Sequence, residues 1–380
     1  MLCMRSRLVT AFVFLFALTA FAADYTVYVG TYTGPKSKGI YSFHFDAVTG
    51  KFTQPQVAAE TDNPSFLALD PKDHFLYAVN ELEHYKAARS GAVSVFAVDP
   101  ATGSLTFKQE VSSLGEDPAY IAVDHTGHDV LVANYTSGNV AVFPIKADGT
   151  LGDKTALEQH QGSSVNHDRQ AGPHAHSIQL TNDNRFAMSA DLGIDKIVID
   201  RFDPARGTLS PNDTPFVSVK PGSGPRHLAF SADSKFVYDL NEMGTDVTVF
   251  SYDAKSGAMH EIQTIPTVAE HDPANTAAEI QIAPGGRFLY TSTRKADMIT
   301  EFSLDKQTGK LALVDRFSSG GKTPRFFTLD PTGQWMFVAN QDSDSIVLFR
   351  VDRGTGKLTP TGTHIDVGSP VCVVFVPAEK

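Results

Sequence analysis

The 380-residue chain is short of cysteine, with Cys3 and Cys372 as its only two. Cys3 lies in an N-terminal apolar segment that we expect to be removed, which leaves one cysteine in the mature protein. A single cysteine forms no internal disulfide, so a small fold held together by disulfides is excluded. Cys372 stands in the apolar run PVCVVFVP. We expect it to pack in the core, because a catalytic thiol needs a basic and partly open surrounding.

Positive charge is also scarce. Lys and Arg number 32 against 43 Asp and Glu, giving a formal net charge of -11. Proteins that bind nucleic acid normally carry a basic face, so no nucleic-acid partner is expected. Hydrophobic residues make up 42% and charged residues 20% of the chain, which excludes an intrinsically disordered protein.

Arg5 and Arg7 near the start of the chain are followed by an apolar run from Leu8 to Ala23. The run ends in a small-residue pattern around Ala22, and these three parts together are the layout of a secretory signal peptide. We predict that residues 1–22 are cleaved and that the protein is exported to the periplasm or secreted, without stable membrane insertion. The alternative is an uncleaved anchor, although a spanning helix needs about 20 apolar residues.

One sequence phrase recurs along the chain: a proline, an alternating apolar strand, a turn with Asp or Gly, a second apolar strand, and a polar residue. NPSFLALDPKDHFLYAVNE and PRFFTLDPTGQWMFVANQ are two of its copies. The leading positions are Pro64, Pro118, Pro173, Pro225, Ala277, Pro324 and Pro370. A repeat of about 50 residues with period-two alternation is typical of a four-stranded propeller blade.

The seventh copy ends with the chain, and DYTVYVGTYTG near the N-terminus supplies the strands that it lacks. We therefore predict an all-β, seven-bladed β-propeller of four-stranded antiparallel blades. Its last blade is closed by strands from both ends of the chain, a closure that removes exposed sheet edges. Residues 23–380 then form a single domain, which we expect to be a monomer.

The candidate site follows from the repeat. In antiparallel strands, the start of the first strand and the end of the second lie at the same end of a blade, so these positions from all blades meet at one mouth of the channel. Most blades place small or neutral residues there. The departures from this pattern are His174, His176, Arg226, Glu242, Glu279, Arg294 and Arg325, and His227 and Gln341 occupy the same strand-end positions. Buried charges are costly unless paired or used, so the cluster indicates either a ligand site or a salt-bridged plug.

Arginines facing one funnel suit an anionic or oxygen-rich ligand. His174 and His176 stand two residues apart on one strand, but no third ligand with metal-site spacing accompanies them, so neither a metal nor a cofactor is predicted. The polar segment 159–172 forms either a lid over this mouth or a surface insertion. The chain has no Gly-x-Ser-x-Gly elbow, which argues against α/β-hydrolase chemistry.

The motifs GTYTG (30–34), RQAGPHAHS (169–177), GPRHLAF (224–230) and GRFLYTSTR (286–294) resemble those of the seven-bladed propeller lactonases. That family includes bacterial 6-phosphogluconolactonase and fungal carboxy-muconate cyclase, and the resemblance covers the whole mature chain. It implies that the protein hydrolyses a sugar lactone, and anionic or phosphorylated lactones are included in this substrate class. It also implies a site formed by His176, Arg226, Glu242 and Arg294.

Several functional alternatives remain open at this point. In one alternative, Glu242 or His176 is the general base that activates a water molecule; in the other, His176 is the acid that protonates the leaving ring oxygen. Arg226 and Arg294 either stabilise the oxyanion or hold an acidic substituent of the substrate. His174, His227, Glu279, Arg325 and Gln341 are the expected substrate-binding residues. The competing functions are a non-catalytic exported propeller that binds a ligand or protein on the same face, and a calcium-dependent propeller lactonase.

Overall fold

The computed structural model describes residues 24–378. The predicted signal peptide, with Cys3, lies outside the described residues. These residues fold into seven antiparallel sheets, which are the blades of the predicted propeller. The innermost strands of successive blades contact one another around a ring, and the last of them contacts the first. The predicted seven-bladed architecture is confirmed.

The first three blades follow the chain from inside to outside. Blade 1 contains β5 (Leu67–Leu69), β6 (Phe75–Asn80), β7 (Ala92–Val98) and β8 (Leu105–Ser112). Blade 2 contains β9 (Pro118–Val123), β10 (Asp129–Asn134), β11 (Asn139–Pro144) and β12 (Ala156–Gln159). Blade 3 contains β13 (Ala175–Leu180), β14 (Phe186–Asp191), β15 (Lys196–Asp203) and β16 (Thr208–Ser218).

The next three blades repeat this order. Blade 4 contains β17 (Pro225–Phe230), β18 (Phe236–Asn241), β19 (Asp246–Asp253) and β20 (Ala258–Pro266). Blade 5 contains β21 (Ala277–Ile282), β22 (Phe288–Thr293), β23 (Met298–Leu304) and β24 (Leu311–Ser318). Blade 6 contains β25 (Pro324–Leu329), β26 (Trp335–Asn340), β27 (Ser345–Val351) and β28 (Leu358–Asp366).

The seventh, closing blade combines the two ends of the described chain. Its innermost strand is β29 (Pro370–Pro377), followed outward by β1 (Asp24–Thr31) and β2 (Gly39–Asp46), while β3 (Lys51–Phe52) and β4 (Gln56–Glu60) share the outer edge. β29 and β1 pair in antiparallel register, with Val27 opposite Phe375. The predicted closure is therefore confirmed.

Aromatic side chains fill the spaces between blades. Phe96, Phe250, Phe302, Phe337 and Phe349 are among the largest fully buried side chains. Burying such a side chain stabilises the fold by roughly 1.5–3 kcal/mol relative to leaving it exposed. This packing takes the place of disulfides.

A tyrosine hydroxyl joins neighbouring blades at four of the seven interfaces. Tyr238 in blade 4 donates to the carbonyl of Gly309 in blade 5, at 3.0 Å, and Tyr77 does the same to Gly149 in blade 2. Gly309 has a φ of +71°, and a Cβ there would lie 2.2 Å from Phe236. Glycine is thus required by both the turn and the close approach of the two blades. The remaining pairs are Tyr28 with Gly103 and Tyr290 with Gly356.

Cys372 lies on the inner strand β29 and is fully buried. Burial raises the pKa of its thiol to about 12. An unreactive, neutral thiol agrees with the core position expected from the sequence.

Helical structure is minimal in the part of the chain that the structure describes. Its one helix is a 3₁₀ turn, Gln341–Ser343. Nothing helical between residues 24 and 378 is both long and apolar enough to cross a bilayer.

Candidate active site

β-Bulges place the predicted site residues at the channel mouth. In blade 3 the pairing register shifts between Ala175 and Ser177, so His176 is the extra residue. In blades 4 and 6 the corresponding extra residues are Arg226 and Arg325. A bulge re-aims a side chain that would otherwise follow the pleat. The sequence predicts these positions as the start of each inner strand, and the bulges give them a common direction.

Glu242 is the centre of the site. It follows β18 and is buried. Its carboxylate accepts hydrogen bonds from Arg169 at 2.7 Å and Arg226 at 3.1 Å, and forms an ion pair with Arg294 at 2.8 Å. Burial alone would raise the pKa of Glu242, but Arg294, Arg226 and Arg169 outweigh it and hold this pKa well below its usual range. Glu242 is therefore ionised at neutral pH, and its oxygens are occupied by guanidinium donors.

The three arginines around Glu242 differ in how far a ligand can reach them. The Arg226 side chain is 3% exposed, and it also donates to the carbonyl of Ala278. The Arg294 side chain is 15% exposed and that of Arg169 is 39% exposed. Arg226 is thus enclosed by the protein, while Arg294 and Arg169 present donors to the mouth.

His176 lies beside this cluster, with its Nε2 3.9 Å from Oε2 of Glu242. Burial, followed by the charges of Arg226, Arg325 and Arg294, lowers the pKa of His176 well below its ordinary value. The imidazole is therefore neutral at neutral pH. A neutral imidazole next to an ionised carboxylate can take a proton and be stabilised once it is charged.

His227 and Glu279 form a second buried pair deeper in the channel, with His227 Nδ1 3.0 Å from Oε2 of Glu279. Arg226 Nη1 lies 3.3 Å from Nε2 of His227. Because a guanidinium only donates, this Nε2 is the acceptor and Nδ1 carries the hydrogen toward Glu279. Burial lowers the pKa of His227 and raises that of Glu279. The pair thus holds Arg226 through His227. That either His227 or Glu279 contacts a substrate stays a prediction.

Arg325 differs from the other three arginines because it does not contact Glu242. Its Nη2 donates to the hydroxyl of Tyr32 at 2.8 Å, and its guanidinium lies over the Tyr32 ring at 5.2 Å. The same hydroxyl lies 2.8 Å from both carboxylate oxygens of Glu81. Tyr32 and Glu81 thus join the site from the closing blade and blade 1. Both occupy the strand-end positions that the repeat brings to this mouth.

His174 and Tyr135 form a stacked pair at the rim, with ring centroids 4.6 Å apart and an interplanar angle of 18°. His174 Nδ1 also lies 3.0 Å from the carbonyl oxygen of Tyr135. His176 meets the same Tyr135 ring edge-on at 5.4 Å. The two histidines therefore share one aromatic neighbour, although His174 lies just before β13 and His176 is the bulge residue of that strand.

Gln341 begins the 3₁₀ turn after β26, at the outer side of the mouth. Its side-chain oxygen is buried and has no hydrogen-bond partner within residues 24–378. The structure therefore places Gln341 at the mouth but apart from the Glu242 cluster.

Arg169 is the site residue that sequence reasoning missed. It belongs to segment 159–172, which has no counterpart in the repeat and for which the sequence left open a lid over the mouth or a surface insertion. The segment is held by Gln170, which is fully buried and donates to the carbonyl of Leu192 at 2.8 Å. The RQAGPHAHS motif, which begins at Arg169, is the sequence signal that could have identified Arg169 as a site residue.

The channel below the site is nearly closed. A cavity of 10 Å³, lined by Phe66, Glu81, Arg226, His227 and Arg325 among others, lies at its centre. About one water molecule fits such a volume. A ligand larger than water therefore does not fit this cavity. Across residues 24–378, the His, Cys, Asp and Glu side chains form no group of three or more suited to a metal ion.

Comparisons with known proteins agree with this architecture. The chain is 35% identical to a 6-phosphogluconolactonase of Bacillus subtilis over 353 residues, which is 93% of this chain and 98% of that protein. It is 32% identical to a 6-phosphogluconolactonase of Formosa agariphila, covering 80% of this chain and 86% of that protein. The crystal structure of a periplasmic gluconolactonase from Pseudomonas aeruginosa superposes with a TM-score of 0.88 at 36% identity, covering 94% of this chain and 100% of that one.

The sequence profile of a protein family gives the assignment. The profile described as "Lactonase, 7-bladed beta-propeller" matches residues 26–375, nearly the whole of the described chain. A lactonase hydrolyses a cyclic carboxylic ester. The chain therefore belongs to the lactonase family of seven-bladed β-propellers, and is a carboxylic ester hydrolase.

Proposed function

We propose that the protein opens a sugar lactone to its aldonic acid at the mouth of the propeller channel, with His176, Glu242, Arg294 and Arg169 as the working residues. The observation that supports this most directly is the arrangement at Glu242: an ionised carboxylate held by three arginines, with a neutral imidazole 3.9 Å away. The names of the relatives support a lactone as the substrate class.

The proposed reaction begins with a water molecule beside His176. His176 takes a proton as the water oxygen attacks the lactone carbonyl carbon, and the carbonyl oxygen becomes an oxyanion. Arg294 and Arg169, the two arginines of the cluster that are open to the mouth, stabilise that oxyanion. When the bond from the carbonyl carbon to the ring oxygen breaks, the ring oxygen takes the proton back from His176 and leaves as a hydroxyl.

Glu242 has a supporting role in this proposal. Both carboxylate oxygens of Glu242 are occupied by guanidinium groups, whereas His176 Nε2 makes no hydrogen bond within residues 24–378, so the geometry favours His176 over Glu242 as the base. Glu242 instead orients the arginines and stabilises the imidazolium that forms in the reaction, as the carboxylate of a catalytic triad does. Arg226, enclosed beneath it, fixes the Glu242 carboxylate in place.

The charge balance at the mouth favours a substrate with an acidic substituent. Within residues 24–378, the arginines of the mouth have two carboxylates at hydrogen-bond distance, directly or through Tyr32, and these are Glu242 and Glu81. Arg325 contacts no carboxylate directly in this part of the chain, and we assign it to an anionic group of the substrate, such as a phosphate or carboxylate.

Two further proposals concern the setting of the reaction. The signal-peptide pattern at residues 1–22 and the likeness to a periplasmic gluconolactonase support a protein that is exported and acts outside the cytoplasm. We propose that it works as a monomer without a cofactor, since the working residues all belong to one chain.

The test is turnover of a lactone panel by purified protein comprising residues 23–380. Glucono-1,5-lactone and 6-phosphoglucono-1,5-lactone are assayed by acid release, with the spontaneous rate in buffer subtracted. We expect hydrolysis above that rate by the wild type and by the exposed-surface control Glu270→Gln, and its loss in His176→Gln. Thermal protection by a lactone without turnover would instead establish a binding protein. Retained activity in His176→Gln would overturn the assignment of the base.

A further inference from the structure

An open groove leads outward from the site between the closing blade and blade 6. It has a volume of 370 Å³, within the size range of small-molecule sites, and Tyr32 and Gln341 stand at its inner end. Tyr32 is also the residue that bonds to Arg325. Arg325 and Arg226 line the same small cavity, and Arg226 binds Glu242, so the groove is connected to the Glu242 cluster through Tyr32, Arg325 and Arg226.

A large substrate does not fit the small cavity between Arg226 and Arg325. With a volume of 10 Å³ this cavity does not hold a sugar ring, so we place the lactone outside it, beside the Glu242 cluster. Whatever is attached to the lactone on the side of Tyr32 then extends into the groove.

The groove lining suits hydroxyl groups better than anions. Asp342 and Asp344 contribute two carboxylates, and Lys36 is bound to Asp344 at 2.6 Å. One negative charge remains, which repels a phosphate. Asp342 Oδ1 and the Ser369 hydroxyl make no hydrogen bond within residues 24–378, so one can accept from and the other donate to a polyhydroxylated ligand.

We infer that this groove is a subsite for a glycosyl substituent, and that the enzyme accepts lactones of disaccharide aldonic acids. The inference rests on the proposed lactone hydrolysis and adds a substrate class to it. The aldonolactone ring lies at the Glu242 cluster, and the second sugar ring lies between Tyr32, Gln341 and Asp342.

Gly34 offers a way to block the groove without touching the funnel. It lines the groove, and a Cβ added to it meets no atom within 4 Å. Its φ lies outside the left-handed region, so a side chain there causes no backbone strain. Gly34→Trp fills the groove, and Gly34→Ala is the matched control with the same backbone and no bulk. Asp342→Leu, at an exposed position, is a second blocking variant.

The experiment compares kcat/KM for cellobiono-1,5-lactone, maltobiono-1,5-lactone and glucono-1,5-lactone, each corrected for the buffer rate. In the wild type and Gly34→Ala we expect at least one disaccharide lactone to exceed glucono-1,5-lactone by about tenfold, the effect of one or two additional hydrogen bonds. Gly34→Trp and Asp342→Leu should lose that advantage while keeping the glucono-1,5-lactone rate and the wild-type melting temperature.

The possible failures are distinguishable. No wild-type advantage for either disaccharide lactone, or an advantage that survives in both blocking variants, would overturn the subsite while leaving the lactonase proposal intact. Absence of turnover on every lactone would overturn the proposed function itself.

Discussion

Arg169 donates a 2.7 Å hydrogen bond to the carboxylate of Glu242, which lies 73 residues further along the chain. The bond joins a segment outside the repeat to the end of a blade 4 strand. Arg169 also donates to the hydroxyl of Tyr135 at 3.2 Å, so it is held from two sides. Of the three arginines on Glu242 it is the most exposed, which makes it the cluster's main donor toward a ligand.

Replacing Arg169 should reduce catalysis more than stability. We expect Arg169→Ala to lower kcat/KM about a hundredfold, the usual effect of removing one donor to an oxyanion. The half-exposed ion pair contributes on the order of 1 kcal/mol to folding, because water screens it. Steady-state kinetics and urea denaturation of the same preparation measure the two effects.

Arg206→Ala serves as the control for Arg169, since it also removes an arginine, one that forms only a surface pair with Asp203. It should match the wild type in both measurements. An Arg169→Ala variant with wild-type kcat/KM would show that Arg169 has a structural role only and does not contribute to catalysis.

Replacing Glu242 should damage both catalysis and folding. Glu242→Gln leaves Arg226 and Arg294 facing one another without a counter-charge in a buried place. Breaking a buried ion pair on one side costs about 3–5 kcal/mol, so the urea midpoint should fall strongly. The exposed Glu270→Gln variant makes the same chemical change at the surface and should leave the midpoint unchanged. A Glu242→Gln protein as stable as the wild type would mean that the arginines do not depend on this carboxylate.

The acid limb of the pH profile should lie below the ordinary titration range of histidine. His176 works as a base only when neutral, and its pKa is lowered by burial and by Arg226, Arg325 and Arg294. As pH falls, protonation of His176 therefore comes late, and kcat should hold down to pH values well below 6.5. Buffer-corrected rates across the acid range measure this limb. Half-maximal kcat at pH 6.5 or above would contradict a base with a lowered pKa.

Glu301 lies far from the site, and we expect it to make the stability of the folded protein depend on pH. It is fully buried on β23, its carboxyl oxygens have no partner among residues 24–378, and burial followed by Asp315 raises its pKa from 4.5 to about 7. Between these two values the folded protein holds a proton that the unfolded chain releases, so wild-type stability falls as pH rises through this window. The loss is on the order of 3 kcal/mol and ends above pH 7.

Glu301→Gln removes this titration. Its melting temperature relative to the wild type should rise between pH 5 and pH 7.5, while exposed Glu83→Gln shows no such trend. The comparison uses the change with pH, because the amide has its own unmet hydrogen bonds at every pH. A difference between Glu301→Gln and wild type that stays constant over this range would contradict the raised pKa.

The fold was predictable because each blade repeats one phrase. Proline at the start of the inner strand and a turn of Asp or Gly after it recur with a spacing that only a propeller accommodates, and the incomplete seventh copy required strands from the N-terminus. The tyrosine-to-glycine bonds between blades, such as Tyr238 to Gly309, were not predicted. They join residues about 70 positions apart, and the repeat itself says nothing about contacts between copies.

The site was predictable in position and only partly in contacts. The repeat brings the strand ends together, so His176, Arg226, Glu242 and Arg294 were expected at one mouth, where the structure places them. It does not say which side chain pairs with which. That choice depends on bulges of one residue, and on segment 159–172, whose Arg169 has no equivalent in other blades.

The pairing of β29 with β1 has a consequence for how the protein is made. β1 leaves the ribosome before the strands of the six complete blades, and its inner partner β29 leaves after them. The nascent chain must therefore keep one edge of β1 unpaired while six complete blades are synthesised. Such an edge invites pairing with other chains. During synthesis of this protein, the open edge of β1 can therefore pair with other chains until residues 370–377 have emerged.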